Sequence, residues 1–387
     1  MPGIGYIKKM IKHTCSTTYN NPFIVHFSKL EDPRRTSKGN LKHSLTDIVF
    51  LVIAAVVSGA DSWQSIEVFG KNQLDWLRKY VPLSTGIPSH DTLGRFFGSL
   101  DHPAFSKCFI DWASELSSLT KGEVVALDGK RLRGSYDRFS KKEAIHMVSA
   151  FAAGNGLCLG QVCCQDKSNE ITAIPELLEL IAIQGSTVTI DAMGCQTKIA
   201  EKIRAKGADY ILAVKDNQKE LHQQVKKMFN IARPSSTNVS VNVGHGRVET
   251  RKCSIIDNLV FFDSDVEWKG LKALVKIETE RYSKLEKTTQ RETRYYISSL
   301  SEDAAKINNM VRDHWSIENK LHWMLDVNFR EDASRRRKGH SAENFNIIAK
   351  VALSLITKAP VEKPMSKSNK RYAAALSNSF REKVLQV

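Results

Sequence analysis

The sequence has no apolar segment long enough to cross a membrane, and its cysteines form no recognisable pattern. The most apolar run extends from Ile48 to Val57, whereas a membrane-spanning helix needs about 20 residues. The seven cysteines are odd in number and include no CxxC pair, which argues against both a disulfide framework and a zinc site. We therefore expect a cytoplasmic protein in which residues 48–57 form a buried helix.

Nucleotide-binding loops and internal repeats are absent as well. No GxxxxGK[ST] motif occurs, and the glycine-rich stretch at 154–160 misses the GxGxxG spacing by one residue. That stretch is more typical of a hairpin turn. No repeat of about 20–50 residues is visible, which excludes solenoids and propellers. These absences disfavour a nucleotide-dependent enzyme.

Acidic residues are too few to balance the basic ones. The 387 residues, enough for two or three domains, include 57 Lys and Arg against 42 Asp and Glu, a net charge of +15. Most of the excess lies at the ends, with +6 in residues 1–43 and +5 in residues 357–387. Basic arms favour a polyanionic partner, because each neutralised phosphate releases counterions. The alternative is that the arms serve solubility alone.

Helical patterns prevail up to residue 112, and strand patterns begin near residue 122. Plausible N-caps of three helices are Ser44 or Thr46 for the first, Ser62 for the second and Ser89 for the third. The helix after Ser89 fits a DNA-recognition helix and an ordinary core helix equally well.

The pattern after residue 122 indicates a mixed α/β sheet. Hairpin-like strands come first, and strands that alternate with helices follow. Further strand-like pieces after a loop at 234–238 indicate a β-rich insertion, which is followed by helices at 302–329 and 341–356. The predicted strands are 123–127, two within 145–164, 187–190, 210–214, 247–256, 273–281 and 291–297.

Three acids stand at informative places in this pattern. Asp128 directly follows the first predicted strand, and Asp191 directly follows the strand at 187–190. Acids at the carboxyl ends of neighbouring strands meet at the edge of a sheet where α/β folds bind ligands. Glu318 lies on a later helix, beside the apolar stripe of Ile317, Leu321 and Met324 that should face the core.

Each acid alone is a weak signal. An Asp at a strand end is more often a turn or cap residue, and a Glu on a helix flank is usually a solvated charge. Together they form a set of hard oxygen ligands in a basic chain, which is the kind of site that Mg²⁺ occupies beside phosphate.

Five motifs in this order closely resemble bacterial insertion-sequence transposases, nearest to the H-repeat-associated transposases. The resemblance runs from about residue 22 to residue 356. The motifs that carry it are Leu127-Asp-Gly-Lys, Thr189-Ile-Asp-Ala-Met, Tyr210-Ile-Leu-Ala-Val-Lys-Asp-Asn-Gln, His245-Gly-Arg-Val-Glu-Thr-Arg and His314-Trp-Ser-Ile-Glu-Asn-Lys-Leu-His-Trp.

The resemblance implies an α/β fold with an RNase H-like mixed-sheet catalytic domain, a β-rich insertion and a preceding small helical domain. It implies that Asp128, Asp191 and Glu318 are the DDE triad. With the basic ends, it gives five segments: a flexible basic N-terminus at 1–28, a helical domain at 29–115 that is a candidate for DNA binding, the catalytic domain at 116–357, its insertion near 230–295, and a flexible basic tail at 358–387.

One departure from related transposases stands beside the glutamate. Many relatives carry a tyrosine, an arginine and a lysine at set offsets from it, where this chain has Val311, His314 and Leu325. That puts in doubt any step that needs those side chains, such as gripping a flipped base or a DNA hairpin.

The expected reaction is metal-dependent cleavage and joining of DNA. The triad would hold two Mg²⁺ ions, for which Mn²⁺ should substitute, and the two ions would activate water and stabilise the leaving 3′ oxygen. The partners would be double-stranded DNA, both the terminal inverted repeats of the element and the target, with a homodimer assembled on DNA and associated with the nucleoid.

Basic residues near these motifs are candidate DNA contacts, although solvated loops and an exposed sheet face would account for them equally simply. Trp315 and Trp323 are interpreted as core residues. The candidates are Lys130, Arg131, Arg133, His245, Arg247, Arg251, Arg335, Arg336, Arg337 and Lys338.

Two other functions would use much of the same sequence. A metal-dependent nuclease would share the triad but would give no joined product. A transposase-derived DNA-binding protein would bind without cutting, and the presence of all three acids argues against it.

Overall fold

The N-terminal third of the chain is helical. The structure, a computed structural model, describes residues 22–34, 41–117, 119–136, 143–164, 170–244, 246–263 and 267–387. Within them, the helices before the first strand are α1 (Pro22–Phe27), α2 (Leu45–Val57), α3 (Trp63–Asn72), α4 (Leu74–Leu77), α5 (His90–Ser99) and α6 (His102–Leu116).

The predicted N-caps are confirmed. The hydroxyl groups of Ser44, Ser62 and Ser89 accept hydrogen bonds from backbone N–H groups three residues later, over 3.0, 3.0 and 3.3 Å. The apolar run at 48–57 is buried within α2, as expected. The apolar residues of α5, which include Phe96 and Phe97, are buried as well, so that face of the helix is core and cannot contact DNA.

A nine-stranded mixed sheet forms the centre of the described chain and confirms the predicted fold class. Its order is β3-β2-β1-β4-β5-β9-β8-β7-β6. Strands β1, β4 and β5 are parallel, and the remaining neighbours are antiparallel. The strands are β1 (Val124–Leu132), β2 (Ile145–Ala152), β3 (Leu157–Cys163), β4 (Thr187–Ile190), β5 (Asp209–Val214), β6 (Ser236–Gly244), β7 (Arg247–Ile256), β8 (Ala273–Ser283) and β9 (Thr288–Ser298).

The β-rich insertion is an extension of this sheet. Strands β6 to β9 form an antiparallel meander, and β9 pairs with β5. The loop predicted at 234–238 was wrong beyond residue 235, because β6 begins at Ser236. Its alternation of small polar residues and valine is a strand pattern that the preceding Pro-Ser-Ser concealed.

Later helices cover the sheet. They are α7 (Glu170–Leu180), α8 (Thr197–Ala205), α9 (Lys219–Ile231), α10 (Ala304–His314), α11 (Trp323–Phe329), α12 (Ser341–Lys358), α13 (Lys367–Leu376) and α14 (Asn378–Leu385). Helix α12 is buried over almost its whole length and packs against α2, α5 and α6 on one side and β3 on the other. It therefore joins the N-terminal helices to the sheet.

The flexible tail predicted at 358–387 is wrong, because α13 and α14 pack against α2 and α12. Arg381 is fully buried. Its guanidinium donates to Ser58 Oγ at 3.0 Å and to the Ala374 carbonyl at 2.9 Å, and it lies 4.5 Å from the ring centroid of Trp76. Three of the seven basic residues that suggested a solvated tail are buried in the core: Lys370, Arg371 and Arg381.

The flexible N-terminus predicted at 1–28 is also wrong for the part that the structure describes. Residues 22–27 form α1, and Phe27 packs on Phe105 of α6 with 5.2 Å between ring centroids. Residues 1–21 lie outside the described residues.

The expectations that the chain has no membrane-spanning helix and no disulfide framework can be compared with the described residues. No helix among them is both long and apolar enough to span a membrane. Five cysteines among them are free thiols, in agreement with the absence of a disulfide pattern: Cys108, Cys158, Cys164, Cys195 and Cys253.

Replacing Arg381 should destabilise the protein far more than replacing a neighbouring exposed cation. We expect Arg381→Met to lower the free energy of unfolding by about 3 kcal/mol or more, because buried acceptors that lose their donor cost about 1–3 kcal/mol each. Lys383→Met, on the exposed side of the same helix, should change it by less than about 0.5 kcal/mol. Urea denaturation measures both; equal effects would show that α14 is not an integral part of the core.

Candidate active site

The register between β1 and β4 brings two of the three acids together. The parallel pairing ends at Leu127 and Ile190, which face each other across the two strands. The next residue on each strand is Asp128 and Asp191, so the two carboxylates emerge side by side. One detail differs from the sequence prediction: Asp128 lies within β1, which continues to Leu132 in pairing with β2.

Glu318 reaches the same site from a distorted helix. Between α10 and α11 the backbone forms a π-helical turn at Glu318–His322, a distortion that often accompanies functional sites. Ile317 and Leu321 are buried, as the predicted apolar stripe requires, and Glu318 is exposed beside them.

Asp128, Asp191 and Glu318 line one cavity of about 310 Å³. Burial raises the pKa of Asp191, and the negative charges of Glu170 and Asp128 raise it further, whereas backbone N–H groups of the following turn oppose the rise. Partial burial and the charge of Asp128 raise the pKa of Glu318. The cavity therefore concentrates negative charge that a cation would relieve.

Two histidines that the sequence analysis did not select lie beside Asp128. His322 Nε2 is 3.3 Å from Asp128 Oδ2, and neither ring nitrogen of the buried His322 has a hydrogen-bond partner among the described residues. His314 Nδ1 lies 2.9 Å from Thr189 Oγ1. Burial lowers the pKa of His314, opposed by the charge of Asp128. The spacing of His314 and His322 from Glu318 on one helix could have identified them.

A side chain at residue 129, directly after Asp128, would displace another pair of side chains that lies against Gly129. A Cβ on Gly129 would lie 2.1 Å from Glu170 Oε1 and 2.4 Å from His146 Nε2. Those two side chains are joined by a 2.8 Å hydrogen bond. Gly129 thus allows a His–Glu pair to support the strand that carries Asp128.

The donor set suits a hard divalent cation, since such ions prefer carboxylate oxygens. No group of three His, Cys, Asp or Glu side chains in the described residues is arranged to hold an ion as it stands. Coordination by all three acids therefore requires side-chain rotation, which the exposed position of Glu318 permits.

Lys130 is bound within the protein. Its Nζ lies 2.5 Å from Asp326 Oδ1 and 2.6 Å from Glu331 Oε2, and it donates to the His322 carbonyl at 3.3 Å. These contacts tie β1 to the helix of Glu318. The structure therefore gives Lys130 a positioning role in place of the predicted contact with DNA.

The other basic residues near the triad differ in accessibility. Arg131 and Arg133 are exposed, and Arg133 is 3.6 Å from Asp332. His245 lies outside the described residues. Contact of these three residues with DNA stays a prediction.

The basic cluster at 335–338 divides in the same way. Arg335 and Lys338 are exposed, and Arg337 donates to the Gly134 carbonyl at 3.5 Å. Arg336 is buried, donates to the Asp61 carbonyl at 2.6 Å and lies 3.3 Å from the ring centroid of Phe345. The prediction that Arg336 contacts DNA is wrong, because its guanidinium joins the loop after α11 to the helical layer.

A basic groove of about 480 Å³ continues from the catalytic cavity along β7, β8 and β9. Arg294 and Trp315 line both spaces, and the Arg294 guanidinium lies 4.6 Å from the ring centroid of Trp315. Besides the predicted Arg247 and Arg251, the sequence analysis missed four cations here. The six are Arg247, Arg251, Arg281, Arg294, Arg312 and Lys320.

Acids neutralise only part of the groove. Its three acids include Glu249, which is 2.6 Å from Arg281, and Glu292, which is 2.7 Å from Arg294. Arg251 is 7% exposed, and its Nε has no hydrogen-bond partner among the described residues. Such a donor is suited to an anion that enters the groove.

The interpretation of the two tryptophans as core residues is wrong for Trp323, which is 53% exposed. Trp315 is half-buried between the cavity and the groove. Trp323 lies outside the apolar stripe of Ile317 and Leu321, both of which are buried, so the apolar character of its ring alone suggested a core position.

Comparison with known proteins agrees with the motifs. A family model described as "Transposase DDE domain" matches residues 119–355, and one described as "DDE_Tnp_1-associated" matches residues 24–113. Among solved structures, a "piggyBac transposase synaptic complex with hairpin DNA" is 14% identical with a TM-score of 0.45, and covers 95% of this chain and 80% of that chain.

Curated relatives that match this chain are also named as transposases. "Putative transposase YncI" of Escherichia coli O157:H7 is 46% identical over 367 residues, 93% of each chain. "H repeat-associated putative transposase YhhI" of Escherichia coli K12 is 41% identical over 358 residues, 90% of this chain and 94% of the relative. "Inactive transposase YbfQ" of the same strain is 46% identical over 70 residues, 18% of this chain and 81% of the relative.

The family match over residues 119–355 and the identity over nearly the full length lead to one conclusion: this chain belongs to the transposase DDE domain family, among the H-repeat-associated transposases.

Proposed function

We propose that the protein cleaves the ends of an insertion sequence and joins them to target DNA, with Asp128, Asp191 and Glu318 as its catalytic acids. The observation that carries the proposal is that these three carboxylates, from two strands and a distant helix, line one cavity. The pKa values of Asp191 and Glu318 are raised partly by neighbouring carboxylates, which is the electrostatic situation of a cation site.

The three acids would hold divalent ions, two Mg²⁺ or Mn²⁺ in the proposed enzyme. Such ions, when bound, supply Lewis acidity that lowers the pKa of water and stabilises a leaving oxygen. The chain itself fixes the acids: the β1–β4 register sets the spacing of the two aspartates, and Lys130 ties β1 to the helix of Glu318. His322 lies against Asp128 and restricts the orientation of its carboxylate.

DNA would reach the acids along the basic groove. The groove opens into the catalytic cavity at Arg294 and Trp315, so a strand whose phosphodiester lies at the acids has neighbouring phosphates within the groove. The cations Arg247, Arg251 and Arg312 line its wall. Contacts of this kind position the strand and carry no base specificity.

Two of the three positions that hold a tyrosine, an arginine and a lysine in many relatives cannot grip DNA in this chain. Val311 and Leu325 are buried core residues, whereas His314 lines the cavity. A route that depends on those side chains is therefore disfavoured, and the basic groove is the alternative means of holding the strand.

Removing one catalytic acid should abolish chemistry and leave DNA binding intact. We expect Asp191→Asn to reduce end-specific cleavage and joining by on the order of a thousandfold or more, because a neutral amide is a poor ligand for a hard cation. Purified protein, DNA carrying the ends of its own element, and Mg²⁺ or Mn²⁺ would be combined and the products separated on a gel. Asp257→Asn, an exposed acid just after β7, is the matched control.

The same gel separates the three candidate functions. Cleavage without joined products would identify a nuclease. Binding without cleavage in native protein and variant alike would identify a silent DNA-binding descendant. Unchanged cleavage by Asp191→Asn would remove the triad assignment.

Neutralising the groove should weaken DNA binding in a salt-dependent way. We expect the double variant Arg247→Gln with Arg312→Gln, both exposed groove residues, to reduce the slope of log Kobs against log salt concentration by about 0.9 for each phosphate that the groove no longer neutralises. Fluorescence anisotropy with a short duplex of arbitrary sequence gives that slope.

The chain provides a matched control for the groove. Lys252 is exposed on β7, next to Arg251, and its side chain points to the opposite face of the sheet. Lys252→Gln should leave the slope unchanged. A change in slope for Lys252→Gln that is half of the change for the double variant would mean that net charge alone, and not the groove, binds DNA.

A further inference from the structure

Strand β6 is an open edge of the sheet. It is the last strand in the sheet order and pairs with β7 alone among the described strands. The opposite edge, β3, is covered by α6 and α7 and is almost wholly buried. An open edge offers a row of backbone N–H and C=O groups to another strand, and proteins usually protect it with charged side chains.

The edge strand lacks that protection. Residues 236–244 include no charged residue, whereas the three neighbouring strands of the insertion carry several each. Val239, Val241 and Val243 lie on one face of β6 and are 57%, 61% and 69% exposed. We call these three residues the valine row. No charged side chain accompanies the row on β6, so nothing on this strand prevents the open edge from pairing with another strand.

The other face of β6 is held within the protein. Asn308 of α10 donates to Asn238 Oδ1 at 3.1 Å and to Ser240 Oγ at 3.2 Å. The strand is therefore fixed in position by one face and presents the valine row with its backbone edge to the outside. A fixed strand loses little conformational entropy when a second strand pairs with it.

The spacing of the valine row fits a second copy of itself. Val239 and Val243 stand two residues on either side of Val241, so antiparallel pairing about Val241 places valine opposite valine at all three positions. Apolar β-branched pairs directly opposite each other stabilise an antiparallel sheet, and the absence of charge means that no like charges meet.

We propose that β6 is the self-association surface of this transposase: it pairs antiparallel with β6 of a second copy, with Val241 opposite Val241. The two-fold axis is then perpendicular to the sheet, as in an isologous dimer. The basic grooves, which lie on the face of β7 to β9 next to α10, open on the same side of the joined sheet. Two DNA strands can thus approach from one side.

This pairing is expected to be weak in free protein. It uses one nine-residue strand from each copy, whereas stable interfaces usually employ about 20–30 residues a side. Binding of two copies to one DNA molecule raises their effective concentration and favours the contact. The pairing rests on the proposed function in one respect: DNA serves as the scaffold that holds the two copies. It does not require that the protein cleaves DNA.

Single cysteines test the pairing and its register. Val241→Cys should form a disulfide-linked dimer under mild oxidation on a linear duplex, because directly opposite residues have Cα atoms about 4.5–5.5 Å apart, which a disulfide spans. Val239→Cys alone should not, since its copies lie about 13 Å apart along the strands. A mixture of Val239→Cys and Val243→Cys should cross-link again.

The native chain, with its own cysteines, sets the background of this experiment. Cross-linking of Val241→Cys no greater than that background, or equal cross-linking of Val239→Cys alone, would overturn the pairing. The cross-linking is also measured with Asp191→Asn added to each cysteine variant. A cross-linked dimer that forms without cleavage supports the β6 pairing even if the proposed catalytic activity is wrong.

A charge at the centre of the valine row gives an independent test. Val241→Lys places two ammonium groups opposite each other and should weaken dimer formation on DNA at least about tenfold, as measured by analytical ultracentrifugation with duplex at low salt. Val260→Lys, at an 80% exposed loop position, adds the same charge elsewhere and should have no effect. Equal sedimentation of both variants, with unchanged melting temperatures, would contradict the proposal.

Discussion

The cavity lined by Asp128, Asp191 and Glu318 depends on the parallel pairing of β1 with β4. Because Leu127 faces Ile190, the two aspartates that follow are neighbours on adjacent strands. A slip by one residue would turn one of the carboxylates to the opposite face of the sheet. Gly129, the His146–Glu170 pair and Lys130 all act on β1 just beyond this point, so they maintain the register on which the cavity depends.

Much of the positive charge of the chain is structural. Lys350 is buried in α12, where its ammonium donates to Ser149 Oγ at 2.7 Å and Gln161 Oε1 at 2.6 Å, and burial lowers its pKa. Arg336 and Arg381 are buried against aromatic rings. A net charge read from the sequence therefore overstates what can meet DNA; the groove beside β7 to β9 is where cations converge on the cavity.

The sequence predicted every strand of the described sheet except β6, and the positions of the aspartates, because strand periodicity and strand ends are local features. The C-terminal helices were missed because their packing depends on Arg381, whose polar character suggests solvent. The π-helical turn and the basic groove depend on how separate segments pack against one another, and no single segment of the sequence shows that packing. Domain limits, the triad's role and the proposed DNA contacts other than Lys130 and Arg336 stay predictions.

The burial of α12 between the N-terminal helices and the sheet has a consequence for the order of folding. A ribosome releases the chain from its N-terminus, so α2, α5 and α6 emerge more than 200 residues before the helix that covers them. Contacts so distant in sequence form slowly, and the residues of α2 that pack against α12 stay uncovered until residues 341–358 have been synthesised. A nascent chain that stops before α12 therefore lacks the helix that joins the N-terminal helices to the sheet.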